Sequence, residues 1–241
     1  MNPHVYIGYD AVEHDAVLTL QNTLWHEAGE RGTLLVQEGL RARGLYTRPE
    51  IMWNGQRHDI LSQAPCSTAF SLTRFLVPFV HLSGYALFVD CDMAFRESPT
   101  DMLKDALAAE PDKAVWVVKH QHAGAEGTKM CGLAQTRYPR KNWSSVVLWN
   151  CDHPANRRLT LHDVNTRPGA WLHRFGWLAD SEIGSLDPKW NQLVGVQPDS
   201  EIRPDEGIIH WTLGGPWFKD WQPKPFDDLW LRLAKEHGVT V

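Results

Sequence analysis

The chain has 241 residues, a net charge of -5 and 43% hydrophobic residues. A chain of this size can bury a large core and does not need disulfides or metals for stability. An isoelectric point near 6.2 and the lack of any long run of Lys and Arg argue against a dedicated nucleic-acid-binding protein. A high aromatic content with a low net charge excludes a disordered chain.

Four cysteines, Cys66, Cys91, Cys131 and Cys151, are widely spaced and form no Cys-x-x-Cys pair. A zinc knuckle or a disulfide framework is therefore not expected. No apolar leader opens the chain, and no segment approaches the ~18 to 20 apolar residues of a membrane span. We therefore expect a cytoplasmic protein without a membrane-spanning segment.

A short apolar segment at residues 5–9, directly followed by Asp10, predicts a buried first strand. Apolar residues at helical spacing predict a helix from about residue 14 to residue 28, and residues 33–36 favour a second strand. Because a strand followed by a helix opens a βαβ unit, the expected class is α/β.

Apolar side chains recur at helical spacing through residues 67–81, which predicts an amphipathic helix with Ser71 and Arg74 on another face. Residues 85–89 are typical of a central strand. A further helix is predicted to begin after Ser98, because serine is a favourable N-cap residue.

Two later apolar segments, residues 114–118 and residues 144–149, predict further strands, and the second of these ends at Asn150. Residues 119–143 and residues 179–207 are rich in Gly, Pro and polar residues and predict loops. The chain contains no internal repeat and no low-complexity linker.

Asp90 and Asp92 directly follow the strand predicted at residues 85–89. Open α/β sheets bind ligands at the carboxyl ends of their strands, and residues two apart in extended backbone point to the same side. Two such carboxylates repel each other unless a cation or a donor lies between them, and they suit Mg²⁺ or Mn²⁺. The pair predicts a cation that binds a diphosphate, and a solvated acidic loop is the alternative.

Several segments resemble, in matching order, segments of glycosyltransferase family 8 and its relatives. They are the helix with Arg74 before the strand and its Asp-x-Asp, the sequence WSSVVLWN at residues 143–150, the sequence ADSEIGSLDPKWN at residues 179–191, and HWTLGGPW at residues 210–217. With the first strand, these matches cover most of the chain.

The resemblance implies a GT-A fold, with a mixed central sheet flanked by helices in one domain. Its nucleotide-binding part would extend to about residue 150, and the rest would form the acceptor side. Asp90, Asp92 and His210 would be the metal ligands, for Mn²⁺ or Mg²⁺ as the cofactor.

The resemblance also implies contacts to the nucleotide and its diphosphate from Tyr9, Asp10, Ser71, Arg74, Asp90, Gly214, Gly215 and Lys219. The family usually has a Lys between the Gly and the Pro-Trp of its last segment, and this chain lacks that Lys. Lys219, or backbone N–H groups at the two glycines, would replace it. Tyr9, Trp190 and Trp217 are candidates for stacking on the base or the sugar.

The resemblance further implies transfer of a hexose from a UDP-sugar with retention of anomeric configuration. Asp180, Glu182 and Asn150 are the expected catalytic residues beside the sugar. The acceptor would be a glycan, a lipid-linked sugar or a protein.

Three other functions stay open. A phosphohydrolase with Asp90 as nucleophile would also place an Asp-x-Asp after a strand. A nucleotidyltransferase is less compatible, because no basic Gly-rich loop follows the first strand. A non-catalytic protein that binds sugar nucleotides would explain the shortened last segment.

Overall fold

The computed structural model describes residues 2–120 and 143–239. The strands are β1 (His4–Gly8), β2 (Thr33–Leu35), β3 (Glu50–Trp53), β4 (Gln56–Asp59), β5 (Ala64–Cys66), β6 (Tyr85–Val89), β7 (Met93–Phe95), β8 (Val115–Val117), β9 (Val146–Asn150), β10 (Ile183–Ser185), β11 (Gln192–Leu193) and β12 (Ile208–His210). The α-helices are α1 (His14–Ala28), α2 (Gln37–Ala42), α3 (Val77–Val80), α4 (Pro99–Ala109), α5 (Leu161–Thr166), α6 (Gly169–His173) and α7 (Asp227–Glu236).

Short 3-10 helices connect several of these elements. They are Ala11–Glu13, Thr73–Leu76, Trp143–Ser145, Pro154–Arg158, Asp180–Glu182, Pro188–Asn191 and Asp199–Glu201. No described helix is both long enough and apolar enough to cross a bilayer.

The central sheet has six strands in the order β10-β8-β9-β6-β1-β2. β1 pairs in parallel with both β2 and β6, whereas β9 runs antiparallel to its neighbours β6 and β8. In this register Val89, the last residue of β6, lies opposite Val146, the first residue of β9. The carboxyl ends of β1, β6 and β8 therefore share one edge of the sheet with the beginning of β9.

Two smaller sheets flank the central one. β7 pairs antiparallel with β12, which pairs in parallel with β11. Because β7 follows the turn after β6, this small sheet continues from the edge where the Asp-x-Asp lies. The other small sheet is an antiparallel meander of β3, β4 and β5.

Local sequence signals account for two of the helices. α1 ends at Gly29, which adopts φ of 70° and donates its backbone N–H to Trp25, as expected for a left-handed C-cap glycine. The Ser98 hydroxyl accepts a hydrogen bond from the Thr100 backbone N–H at the start of α4, and Pro99 occupies the first turn. The predicted start of α4 and the predicted extent of α1 are confirmed.

The predicted helix at residues 67–81 is wrong in most of its length. Residues 67–72 form turns, and regular structure is limited to the 3-10 helix Thr73–Leu76 and one turn of α3. Pro78 lies in the first turn of α3, where proline is tolerated, but its ring would clash inside an α-helix that began at residue 67. The apolar spacing reflects burial of Phe70, Phe75 and Leu76 in the core.

The predicted loop at residues 179–207 is also only partly correct. It contains β10, which extends the central sheet beyond β8, and β11, which pairs with β12. The predicted loop at residues 119–143 lies almost entirely outside the described residues.

Most of the tryptophans belong to the hydrophobic core. Trp116, Trp149, Trp190, Trp211 and Trp230 are fully buried. Each contributes a large apolar area to the core. The described cysteines, Cys66, Cys91 and Cys151, form no disulfide.

Candidate active site

The turn Asp90-Cys91-Asp92 is fixed by backbone hydrogen bonds from two directions. The Asp90 N–H donates to the Ser145 carbonyl at 3.0 Å, and the Trp211 N–H donates to the Asp92 carbonyl at 2.9 Å. Both aspartate side chains are only 14% exposed. Their carboxylates are therefore held close together in a place with little solvent to separate their charges.

His210 reaches the same place from the far end of the chain. It is the last residue of β12 and pairs with Met93 of β7, directly after the aspartates. Its Nε2 lies 3.2 Å from Asp92 Oδ1, and ligand atoms of Asp90, Asp92 and His210 all lie within 4.8 Å of one another. The structure thus brings the three predicted metal ligands into one cluster.

The cluster has the properties of a site for a divalent cation. Asp92 Oδ1 is buried and receives no hydrogen bond from any described residue. Buried carboxylate oxygens without a donor are costly unless a cation compensates them. Two carboxylate oxygens and one imidazole nitrogen suit Mn²⁺ or Mg²⁺, because thiolate ligands are absent from the cluster.

Arg74 is buried behind Asp90. Its Nη1 lies 2.8 Å from Asp90 Oδ1 and donates to the Ser144 carbonyl at 2.9 Å, while its Nε donates to the Ser71 carbonyl at 3.1 Å. The guanidinium also lies over the rings of Phe70 and Phe88. Although Arg74 borders the cavity, its observed contacts are to the aspartate and the backbone, which makes it a partner of Asp90.

Opposing influences act on the Asp90 carboxyl. Burial raises the pKa of Asp90 to about 6, with Asp92 adding to the rise, while Arg74 and His210 act in the opposite direction. A cation bound at the cluster would stabilise the ionised carboxylate further.

Glu13 is a residue of this site that the sequence analysis missed. It ends the 3-10 helix Ala11–Glu13, is only 7% exposed and borders the same cavity. Burial raises the pKa of Glu13 to about 9, and the charges of Asp92, Asp10 and Asp90 add to this effect. Glu13 follows the first strand closely in sequence, and this position could have identified it as a site residue, because that strand also ends at the ligand-binding edge.

The metal cluster opens into a cavity of about 640 Å³. Its walls come from residues 62–72, the 3-10 helix before β9, the segment around α6, and the residues after β12. Ser144 and His173 face each other across one wall, with 2.8 Å between Ser144 Oγ and His173 Nδ1. The wall residues around α6 belong to none of the segments that resemble the family, so no sequence signal identified them.

The three predicted catalytic residues lie at the opposite edge of the central sheet. Asn150 ends β9 opposite Tyr85, the first residue of β6, because β9 runs antiparallel to β6. Glu182 precedes β10, and its carbonyl accepts a hydrogen bond from Ala114 at the start of β8. The Glu182 carboxylate pairs with Arg158 and accepts the Ala179 N–H.

Asp180 belongs to the same 3-10 helix as Glu182 and is exposed. None of Asn150, Asp180 and Glu182 is among the described residues that line the cavity. Their assignment to the catalytic centre is therefore corrected, since strand direction places them across the sheet from Asp90.

The residues expected to bind the nucleotide divide into two groups. Ser71 and Gly214 line the cavity. Tyr9, half-buried, packs edge-on against His14, and Asp10 accepts hydrogen bonds from the Val12 and Ala69 backbone N–H groups, which fixes the turn after β1.

Part of the predicted segment at residues 210–217 packs in the protein interior and does not face the cavity. A side chain at Gly215 would collide with Trp217, and Lys219 is exposed and is not among the described cavity-lining residues. Trp190 and Trp217 are buried, and Trp217 packs against Trp230. The expectation that Trp190 and Trp217 stack on a base or sugar is therefore wrong, because their faces are covered by protein.

One protein of known sequence is similar over nearly the whole chain. Protein CDI of Arabidopsis thaliana is 40% identical over 246 residues, covering 97% of this chain and 86% of that protein. No protein-family model matches the chain.

Solved structures share the fold at low sequence identity. The galactosyltransferase LgtC, in complex with donor and acceptor sugar analogues, has a TM-score of 0.56 and 12% identity, with 97% of this chain and 95% of that chain covered. The apo form of the glycosyltransferase GlyE of Streptococcus pneumoniae TIGR4 has a TM-score of 0.56 and 12% identity, with 97% and 60% covered. The apo structure of the bifunctional WbbM has a TM-score of 0.55 and 13% identity, with 97% and 49% covered.

The chain therefore spans about half the length of WbbM and 60% of GlyE. Similarity at this level of identity concerns the fold and does not by itself transfer an activity. The fold is the expected GT-A fold, with a mixed central sheet flanked by helices.

Proposed function

The chain belongs to the same family as Protein CDI of Arabidopsis thaliana, and we propose that it is a metal-dependent glycosyltransferase that uses a nucleotide-diphosphate sugar. The observation that carries this proposal is the cluster of Asp90, Asp92 and His210 in the lining of a cavity of about 640 Å³. The buried Asp92 Oδ1, which receives no hydrogen bond from a described residue, supports a cation at that point.

In this proposal Asp90, Asp92 and His210 hold Mn²⁺ or Mg²⁺. A bound divalent cation would neutralise negative charge on the diphosphate as the sugar leaves. Arg74 balances the charge of Asp90 and keeps its carboxylate in place. The cavity walls position the donor and exclude water, which would otherwise compete with the acceptor hydroxyl.

The finer points of the proposal rest on the resemblance to glycosyltransferase family 8. They are a UDP-sugar donor, a hexose as the transferred group, retention of configuration, and a glycan, lipid-linked sugar or protein as the acceptor. We assign no nucleophile, because the three expected catalytic residues lie away from the cavity.

We also propose that the described chain works as a single domain. Residues beyond 150 add β10 to the central sheet and β12 to the sheet that contains β7. The metal cluster itself joins residues 90 and 92 to residue 210. This interleaving supports one structural unit with a nucleotide side and an acceptor side.

One observation favours a second candidate, a non-catalytic protein that binds sugar nucleotides. Arg74 is the single Lys or Arg among the described residues that line the cavity, and it is engaged with Asp90. Lys219, the proposed substitute for the family's usual lysine, is exposed outside that lining. Among the described residues, no Lys or Arg side chain other than Arg74 then borders the cavity to stabilise a leaving diphosphate.

Calorimetric titration with UDP, with and without Mn²⁺, tests the proposal. We expect Mn²⁺-dependent binding in the wild type, and loss of that binding in Asp92→Ala. Asp101→Ala removes an exposed aspartate of α4 and serves as a matched control that should bind normally. A folded wild type that binds no nucleoside diphosphate with metal would contradict the proposal.

Turnover of UDP-sugars then separates the two candidates. Metal-dependent release of UDP from one donor sugar identifies a transferase, and its loss in Asp92→Ala assigns the activity to this site. Tight nucleotide binding without release from any tested donor identifies the non-catalytic protein.

A further inference from the structure

Asn191 is a fully buried polar residue next to the metal cluster. It ends the 3-10 helix Pro188–Asn191 and directly precedes β11, which pairs in parallel with β12 so that Leu193 lies opposite His210. Its exposed fraction is 0%. An amide in such a place requires hydrogen-bond partners, and the identity of these partners shows what it does.

The Asn191 amide joins two elements of the site. Its Nδ2 donates to Ser145 Oγ at 2.8 Å, and its Oδ1 lies 2.9 Å from His210 Nδ1. With Oδ1 as the acceptor, His210 Nδ1 must carry the ring proton and donate it. The other ring nitrogen, Nε2, is then left with a lone pair on the side of Asp92.

We propose that Asn191 is a positioning residue that holds His210 in the tautomer with the proton on Nδ1 and thereby prepares Nε2 as a metal ligand. This inference rests on the metal site of the proposed function. A ring nitrogen coordinates a cation through its lone pair, and the hydrogen bond of the other nitrogen fixes which one is available.

The surroundings of Nε2 agree with this assignment. Nε2 lies 3.2 Å from Asp92 Oδ1, yet that oxygen is buried without a hydrogen-bond partner. A proton on Nε2 would leave this oxygen unsatisfied, because the two atoms are not aligned for a hydrogen bond. A lone pair on Nε2 and an unpartnered oxygen on Asp92 instead form two adjacent ligand positions for one cation.

The opposite arrangement makes a different and measurable prediction. If the amide were turned over, its NH₂ group would donate to Nδ1, the proton would sit on Nε2, and Ser145 would donate to Oδ1. His210 would then have to change tautomer before binding a cation. The two arrangements therefore differ in which ring nitrogen of metal-free His210 is protonated.

The first measurement is nitrogen NMR of imidazole-labelled, metal-free wild-type protein at about pH 8, with His210→Gln to assign the signal. We expect the His210 proton on Nδ1. A proton on Nε2 would overturn the inference without any substitution at Asn191.

Two variants at position 191 then test the role of the acceptor oxygen. Asn191→Leu is similar in size and removes the acceptor, so we expect a mixture of tautomers and ~10- to 100-fold weaker Mn²⁺ binding by electron paramagnetic resonance. Asn191→Asp keeps an acceptor oxygen, so Nδ1 should stay protonated and Mn²⁺ affinity should stay within about threefold of wild type.

Folding is checked by near-UV circular dichroism and thermal unfolding. If Asn191→Leu unfolds, Asn191→Asp still decides the matter, since loss of the Nδ1 tautomer in that variant contradicts the inference. Unchanged tautomer and Mn²⁺ affinity in folded Asn191→Leu would also contradict it.

The design separates this inference from the proposed function. Wild-type protein that binds no Mn²⁺ removes the proposed metal site, and the His210 tautomer in wild type and Asn191→Leu still decides whether Asn191 orients the ring. Normal Mn²⁺ binding with the proton on Nε2 retains the metal site and rejects the role of Asn191.

Discussion

Replacing Arg74 by methionine should destabilise the protein strongly. The change keeps most of the apolar side chain and removes the charge that faces Asp90 at 2.8 Å. The two side chains are only 8% and 14% exposed, so solvent screens their interaction little. Breaking one partner of a buried ion pair typically costs ~3 to 5 kcal/mol, because the remaining charge is left uncompensated.

For a chain of this size each kcal/mol lowers the melting temperature by roughly 2 to 4 °C. We therefore expect Arg74→Met to melt about 6 to 20 °C below the wild type in the absence of metal. Urea unfolding should report the same loss as a free energy. Arg158→Met is the matched control, because it removes an Arg paired with Glu182 at an exposed position, where such pairs contribute about 0 to 1 kcal/mol.

Mn²⁺ should restore part of the stability of Arg74→Met, because a cation beside Asp90 supplies the missing positive charge. At a Mn²⁺ concentration about 100-fold above the dissociation constant, binding stabilises the folded state by ~2.7 kcal/mol. Adding Asp92→Ala to Arg74→Met should abolish this rescue. A loss of less than about 1 kcal/mol in Arg74→Met, similar to the Arg158→Met control, would refute the view that Arg74 compensates Asp90.

Two further predictions concern Glu13 and the opposite edge of the sheet. Burial near Asp92 raises the pKa of Glu13 from 4.5 to about 9, so the folded state keeps a proton that the unfolded state loses above its lower pKa. The stabilisation from Glu13 is therefore complete below about pH 4.5 and decreases as the pH rises towards 9. The free energy of unfolding of the wild type should fall by up to ~1.4 kcal/mol per pH unit relative to that of Glu13→Gln over this range. Urea unfolding of both proteins at pH 5, 7 and 9 measures this difference, and a difference that does not change with pH would contradict the prediction. Asn150→Ala and Glu182→Ala should leave Mn²⁺ and UDP affinities within about twofold of wild type, and a larger loss in calorimetry would reinstate them as site residues.

The α/β class and the aspartate pair could be predicted from local features of the sequence, whereas the GT-A fold was implied by the resemblance to glycosyltransferase family 8. The apolar segment at residues 85–89 ends at Asp90, and composition alone identifies it as a buried strand with acidic residues at its end. The length of α1 and the start of α4 followed from their periodicity and cap residues. Such signals are local, since they depend on spacing within one helix or strand.

Strand direction could not be derived in this way. Asn150 follows a strand just as Asp90 does, and the sequence offers no local sign that β9 runs antiparallel to β6. Direction depends on which neighbour a strand pairs with, and that choice involves contacts between distant segments. The resemblance implied that Asn150, Asp180 and Glu182 lie beside the sugar, and strand direction instead places them at the other edge.

The sequence by itself determined the class of fold, the acidic pair after a central strand and the residue types suited to a hard cation. The resemblance implied that His210 joins this pair, and only the tertiary structure decided that Arg74 faces Asp90 and that Glu13 and Asn191 are buried beside them. The physical reason is that pKa values, hydrogen-bond partners and metal geometry depend on distances between groups far apart in the chain. Those distances are set by sheet pairing and core packing, which no short sequence pattern encodes.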